Sequence, residues 1–187
     1  MYLNYRFGCC VFSDSYHGEG IWTANDLDHL PPGIAVGTDV EIMNAYNLLK
    51  AGPGDTGCVM THVLDYVRDR GLPFNGVNRK IDGYVSVDWR NKELVKAAIY
   101  LFGGLSMGFN LPQSWTNASV WDVTNSRIVG GHCVRICGYN EQGVKLSSWG
   151  RIYLMTWAAV ISTVWIEENY AIIAPSWYGS DKLTPTN

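Results

Sequence analysis

A histidine framed by glycines is the first pattern in this chain whose residue types can do chemistry: Gly130-Gly131-His132-Cys133-Val134-Arg135-Ile136-Cys137-Gly138-Tyr139, followed by Ser148-Trp149-Gly150. His132, Val134 and Ile136 alternate with Cys133, Arg135 and Cys137, the period of a strand, and Gly130-Gly131 and Gly138 read as its breakers. His132 then starts the face that Val134 and Ile136 continue, and the glycines let a substrate or another stretch of backbone come close. Imidazole changes charge near neutral pH, so the pattern describes a candidate general base.

Such a base needs a nucleophile. Cysteines stand at positions 9, 10, 58, 133 and 137, in no disulfide-framework or zinc-finger spacing, and the odd count predicts free thiols. The strongest setting for a nucleophilic thiol is a helix N-terminus, where the field of the unpaired N–H groups favours thiolate. Cys10 fits it. Gly8 ends an extended segment, and Val11, Phe12, Tyr16 and Ile21-Trp22 make the buried side of a helix over about 10–22, weakened at Gly18 and Gly20, with Asp14 and Glu19 on its solvated face.

Cys58 and His62 form a rival pair. A helix capped by Asp55 or Thr56 and running to about Arg70, with Met60, Val63, Leu64 and Val67 as its apolar stripe, would place them at i and i+4. A metal site from Cys9, Cys10, Cys133, Cys137 and His132 meets a geometric objection. Adjacent cysteines rarely converge on one tetrahedral ion, and Cys133 and Cys137 fall on the strand face opposite His132. No metal or other cofactor is therefore expected. His17 and His29 read as structural or solvated side chains, and Trp149 as a packing plate beside His132.

The segment Asn4-Tyr5-Arg6-Phe7-Gly8-Cys9-Cys10, followed by a helix, resembles the start of the catalytic helix of papain-like cysteine peptidases. The resemblance continues in order. Lys80–Val87, Glu93–Ile99 and Leu105–Phe109 are similar to the strand, helix and strand that precede the papain-type histidine. Then come Gly131-His132, Gly138-Tyr139 and Ser147-Ser148-Trp149-Gly150, the last where papain-like enzymes carry Asn-Ser-Trp-Gly. Trp22-Thr23-Ala24-Asn25 is also similar to a group of small phage and bacterial papain-like proteins.

The resemblance implies an α+β, two-lobed fold in one domain over 1–178. Its helical N-terminal lobe would span about 1–77 and its antiparallel β-rich C-terminal lobe about 78–178, with 179–187 as a polar tail. It also implies a Cys10–His132 pair. Asn4 lies where the family's glutamine supplies an oxyanion donor, counting six residues back from Cys10; the same count from Cys9 reaches Leu3, which has no amide. Ser147 falls where the family's asparagine orients the histidine. In this arrangement the helix terminus and a protonated His132 would hold Cys10 as thiolate, with a pKa lowered to about 3 to 4. The implied function is a cysteine hydrolase, most simply a peptidase, acting on a peptide or protein through an acyl-enzyme. The alternatives are a papain-fold binding or structural protein, for example of a phage particle, and an acyltransferase.

The remaining elements must position these residues. Helices are expected near 39–51, 57–70 and 92–102, and the apolar stretch from Leu154 to Ile173 reads as a helix followed by a strand, because Glu167-Glu168-Asn169 breaks any membrane span. With 187 residues and 47% apolar content the chain can bury a substantial core. A net charge of −3 and the lack of a Lys/Arg cluster argue against a nucleic-acid surface. Met1 stands only three residues before Asn4, and the cysteines are unpatterned. Both features predict a cytoplasmic protein, or a virion-associated one if it is phage-encoded.

Overall fold

The computed structural model describes residues 1–25 and 36–178, so His29 and the 179–187 tail lie outside the described residues. Among the described residues two compact units emerge, one comprising those of Met1–Tyr84 together with Ile172–Tyr178, the other Val85–Ala171.

The first unit is mainly helical. Helix α1 runs Cys10–Asn25 and opens where the Cys9 carbonyl accepts the Ser13 N–H at 3.0 Å. It is buried almost all round, by Phe12, Tyr16 and Trp22 and also by Ser13, Asp14 and Glu19. The expected solvated acidic face is therefore inside. One oxygen of Glu19 meets the Arg79 guanidinium at 3.2 Å, and the other accepts the Ser176 hydroxyl at 2.8 Å. A buried carboxylate needs such partners.

Helix α2, Asp39–Leu49, starts in a capping box: the Thr38 side chain accepts from the Glu41 N–H, and Glu41 reaches back to the Thr38 N–H. Helix α3, Met60–Asp69, buries Met60, Val63, Leu64 and Val67 as the apolar spacing predicts. It starts later than expected, with Val59 as its N-cap. Cys58 thus precedes the helix, and the i, i+4 pairing with His62 does not form. Strands β1 (Leu72–Phe74) and β2 (Val77–Arg79) make a small hairpin in register Leu72↔Arg79.

The second unit holds most of a seven-stranded sheet in the order β3-β9-β4-β6-β7-β8-β5. Its strands are β3 Gly83–Ser86, β4 Leu105–Pro112, β5 Val120–Trp121, β6 Ile128–Tyr139, β7 Gly143–Ser148, β8 Arg151–Thr156 and β9 Ile166–Ile173. All the assigned pairings within it are antiparallel except β5 with β8. Helix α4, Lys92–Phe102, matches its predicted span; Asn91 caps it by accepting the Leu94 N–H, and left-handed Gly103 ends it. The stretch after residue 150 is strand β8, a one-turn helix α5 (Trp157–Val160), β9 and a short α6 (Pro175–Tyr178). The expected helix there gives way to a strand because Tyr153 and Met155 alternate into the core while Ile152 faces out. One apolar core, including Met107, Phe109, Trp115, Trp121, Val134, Ile136 and Leu146, fills the unit.

Candidate active site

Cys10 is the first residue of α1, a helix of 16 residues, so it stands at the positive, N-terminal end of the helix dipole. The segment before it is a run of turns in which the Asn4 N–H reaches the Met1 carbonyl at 3.0 Å. Asn4 is half-buried. Cys9 is fully buried, and its thiol donates to the Tyr2 carbonyl at 3.4 Å. Burial first, and then the adjacent Cys10, push the Cys9 thiol up to about 11. Cys9 is thus a packed thiol held in its protonated form, which leaves Cys10 as the candidate of the two.

Cys58 belongs to this neighbourhood as well. Burial, followed by the charges of Cys10 and Cys9, pushes its thiol up to about 12, so it stands beside the vicinal cysteines as a protonated group.

His132 sits on β6, opposite Phe109 of β4 in the ladder. It is 7% exposed. Its Nε2 lies 2.8 Å from the Ser148 hydroxyl oxygen, and the Trp149 indole covers its face, with centroids 4.6 Å apart and planes within 16°. Phe109 meets the ring edge-on at 5.6 Å and 88°. Burial holds the imidazole well below its usual range, at about 4, because the protonated ring would sit among aromatics without water. By itself His132 is therefore neutral at pH 7.

The serine that holds His132 is Ser148 and not the expected Ser147. Arg135 pairs with Ser147, and Ile136 with Leu146. Cross-strand partners share a face, so Ser147 lies on the Arg135 side, opposite His132, while Ser148 shares the His132, Val134 and Leu146 side. Ser148 then enters a two-residue turn: Trp149 has φ 45° and Gly150 φ 74°, and Ser148 pairs across it with Arg151. Two consecutive positive φ values match the twist of a tight hairpin. A tryptophan in the left-handed region is strained, and here that backbone lays its indole over the imidazole.

Gly130 and Gly131, expected to break the strand, are inside it. No described atom comes within 4 Å of where a Cβ would stand on either, so internal packing does not demand glycine. The ladder shows which way their peptide groups point. The Asn110 N–H bonds the Trp165 carbonyl at 2.8 Å, away from β6. Its partner Gly131 accordingly turns its own N–H and C=O away from β4. On that side β7 pairs with β6 only over Arg135–Tyr139. Among the described residues, the strand therefore has no backbone partner on that side next to His132.

No family model matches the chain, and no curated protein matches it in sequence. Solved structures do. Over 90% of this chain and 80% of the other, the fold superposes with a TM-score of 0.72 and 14% identity on xylellain, a cysteine protease from Xylella fastidiosa. The Carica candamarcensis cysteine protease CMS1MS2, solved in complex with E-64, gives 0.62 at 16% identity over 90% and 89% of the two chains. The cysteine protease and lectin-like domains of Cwp84 from Clostridium difficile give 0.66 at 14% identity, with 91% of this chain spanning 48% of that one. The chain has the α+β fold of papain-like cysteine proteases.

Proposed function

We propose that this chain is a papain-like cysteine hydrolase, most simply a peptidase, in which Cys10 is the nucleophile and His132 moves the protons. The observation that carries this reading is the state of the imidazole. One ring nitrogen, Nε2, is occupied by Ser148 and the face is covered by Trp149, so Nδ1 is the nitrogen left to exchange a proton with a thiol.

The chemistry follows in order. His132 Nδ1 takes the Cys10 thiol proton, and Ser148 accepts from Nε2–H of the imidazolium that forms. The thiolate attacks an amide carbonyl, and the Cys10 N–H at the helix start and the Asn4 amide receive the oxyanion. The imidazolium gives its proton to the leaving amine. Water then attacks the thioester with His132 again as base, releasing the acid and restoring the thiol. The backbone at Gly131 supplies an edge on which an extended substrate can pair, and the bare Gly130-Gly131 surface leaves room for it.

Digestion of a peptide library by wild type and Cys10→Ala tests the class: cleavage present in the first and absent in the second supports the reading. Labelling by E-64, the compound bound by the Carica candamarcensis protein, is expected at Cys10 and at no other cysteine. Equal labelling of Cys10 and Cys137 would overturn it. Asn4 and Ser148, both shorter than the family's glutamine and asparagine, favour slow turnover as the second reading, in which the fold binds peptides more than it cleaves them.

A further inference from the structure

The loop between α2 and α3 carries an acidic residue that sequence reasoning used only as a possible helix cap. Asp55 is exposed, yet one carboxylate oxygen accepts two hydrogen bonds at once: the Gly8 N–H at 2.7 Å and the Tyr46 hydroxyl at 2.5 Å. The Tyr46 oxygen in turn accepts the Gly57 N–H at 3.1 Å. Tyr46 is buried on α2, where its ring meets Phe12 of α1 edge-on at 6.4 Å and 77°. The phenol is thus a fixed post, the carboxylate hangs on it, and the chain just ahead of Cys10 hangs on the carboxylate. The lack of a side chain at Gly8 lets this close without crowding. A Cβ there would stand 3.0 Å from the Asp55 oxygen and 3.2 Å from the Gly57 nitrogen, tighter than ordinary contacts.

We infer that Asp55 is a positioning residue for Cys10: through Gly8 it fixes the backbone two residues before the helix start, and with it the direction of the Cys10 N–H and thiol. The inference rests on the reading of Cys10 as nucleophile. Gly8 is the most conformationally free residue in that segment, and Cys10 stands two residues after it at the first position of helix α1. The Asp55 clamp therefore removes freedom where a misplacement of about 1 Å is expensive for catalysis, on the order of 10²-fold. The lowered pKa of Asp55, caused first by Tyr46 and then by Gly8, agrees with both bonds favouring the carboxylate.

Charge and position predict opposite results, which makes the test decisive. The Asp55 anion raises the pKa of the neighbouring Cys9 thiol, so an electrostatic role alone would make thiols here react faster once the charge is removed. The assay is iodoacetamide alkylation at pH 7, read at Cys10 and Cys58 by peptide mass. Asp55→Ala, which removes the oxygen that accepts both bonds, is expected to slow Cys10 on the order of tenfold while Cys58 stays unchanged or quickens. Asp55→Asn, which keeps a carbonyl oxygen for Gly8 and Tyr46, is expected to restore the wild-type rate or exceed it. Cys10 reacting at the wild-type rate or faster in Asp55→Ala overturns the clamp and leaves the nucleophile standing. Wild-type Cys10 reacting no faster than Cys58 overturns both. Should Asp55→Ala fail to fold, Tyr46→Phe takes its place: it removes the post's hydroxyl and keeps the ring, and the same slowing is expected. An unslowed Tyr46→Phe overturns the clamp.

Discussion

Replacing Ser148 by alanine removes a single hydroxyl, and the structure says what that leaves behind. The His132 Nε2, 2.8 Å from that hydroxyl, loses its partner in a site where the ring is 7% exposed and the Trp149 indole closes one face. A buried polar atom stripped of its partner costs about 1–3 kcal/mol. At about 2–4 °C per kcal/mol for a chain of this size, the midpoint of thermal unfolding falls by roughly 2–12 °C. Function should fall further than stability. With Nε2 unheld, the ring is no longer fixed in the tautomer that leaves Nδ1 as base, and loss of that orientation is on the order of 10²-fold in rate. Ser147→Ala is the matched control, because that hydroxyl lies on the opposite face of β7; its effect should stay within about 0.5 kcal/mol. Thermal unfolding at pH 7 and hydrolysis of a peptide found by library digestion measure the two effects. If Ser147→Ala costs as much as Ser148→Ala, or Ser148→Ala costs nothing, the parity argument and the role given to Ser148 are both wrong.

Other perturbations follow from the same geometry. His132 titrates at about 4 in the fold against roughly 6.5 in the unfolded chain, so between those values only the unfolded state holds the proton. Stability should fall as pH drops through that window, by about 3 kcal/mol in all, and His132→Gln should flatten that part of the urea-midpoint profile. Gly131→Val should leave the unfolding midpoint unchanged or raised, since its Cβ enters open space, yet cut kcat/KM at least about tenfold by blocking the strand edge; unchanged kinetics would remove Gly131 from the substrate path. Glu19→Ala strands the Arg79 guanidinium beside it and should destabilise by about 3 kcal/mol, the lower end of what breaking a buried pair costs because Arg79 is partly exposed; a denaturant titration decides it.

The sequence readings that held and those that failed differ in the physics behind them. Helix α4 was legible to its ends, because its cap, its apolar stripe and its terminal glycine all lie within the chain segment itself. Helix α1 was legible as a helix, but the environment of Asp14 and Glu19 was not. What buries Glu19 is Arg79 and Ser176, the latter 157 residues away, and no local period encodes such a partner. Cys58 failed for a related reason. Asp55 and Thr56 look like helix caps, but Asp55 is committed to Gly8 and Tyr46, and the helix waits until Met60. The choice between Ser147 and Ser148 is different, because the signal was present. Val144 and Leu146 are buried and Lys145 is exposed, a period of two that carries Ser148 onto the core face beside His132 and Ser147 away from it. Alignment by motif assigned the orienting role by order along the chain, whereas a strand assigns it by parity. A one-residue difference in such a motif moves a side chain to the other side of the sheet. It follows that wherever a short hairpin carries a histidine's partner, alternation through the flanking strand decides which residue it is before any motif does.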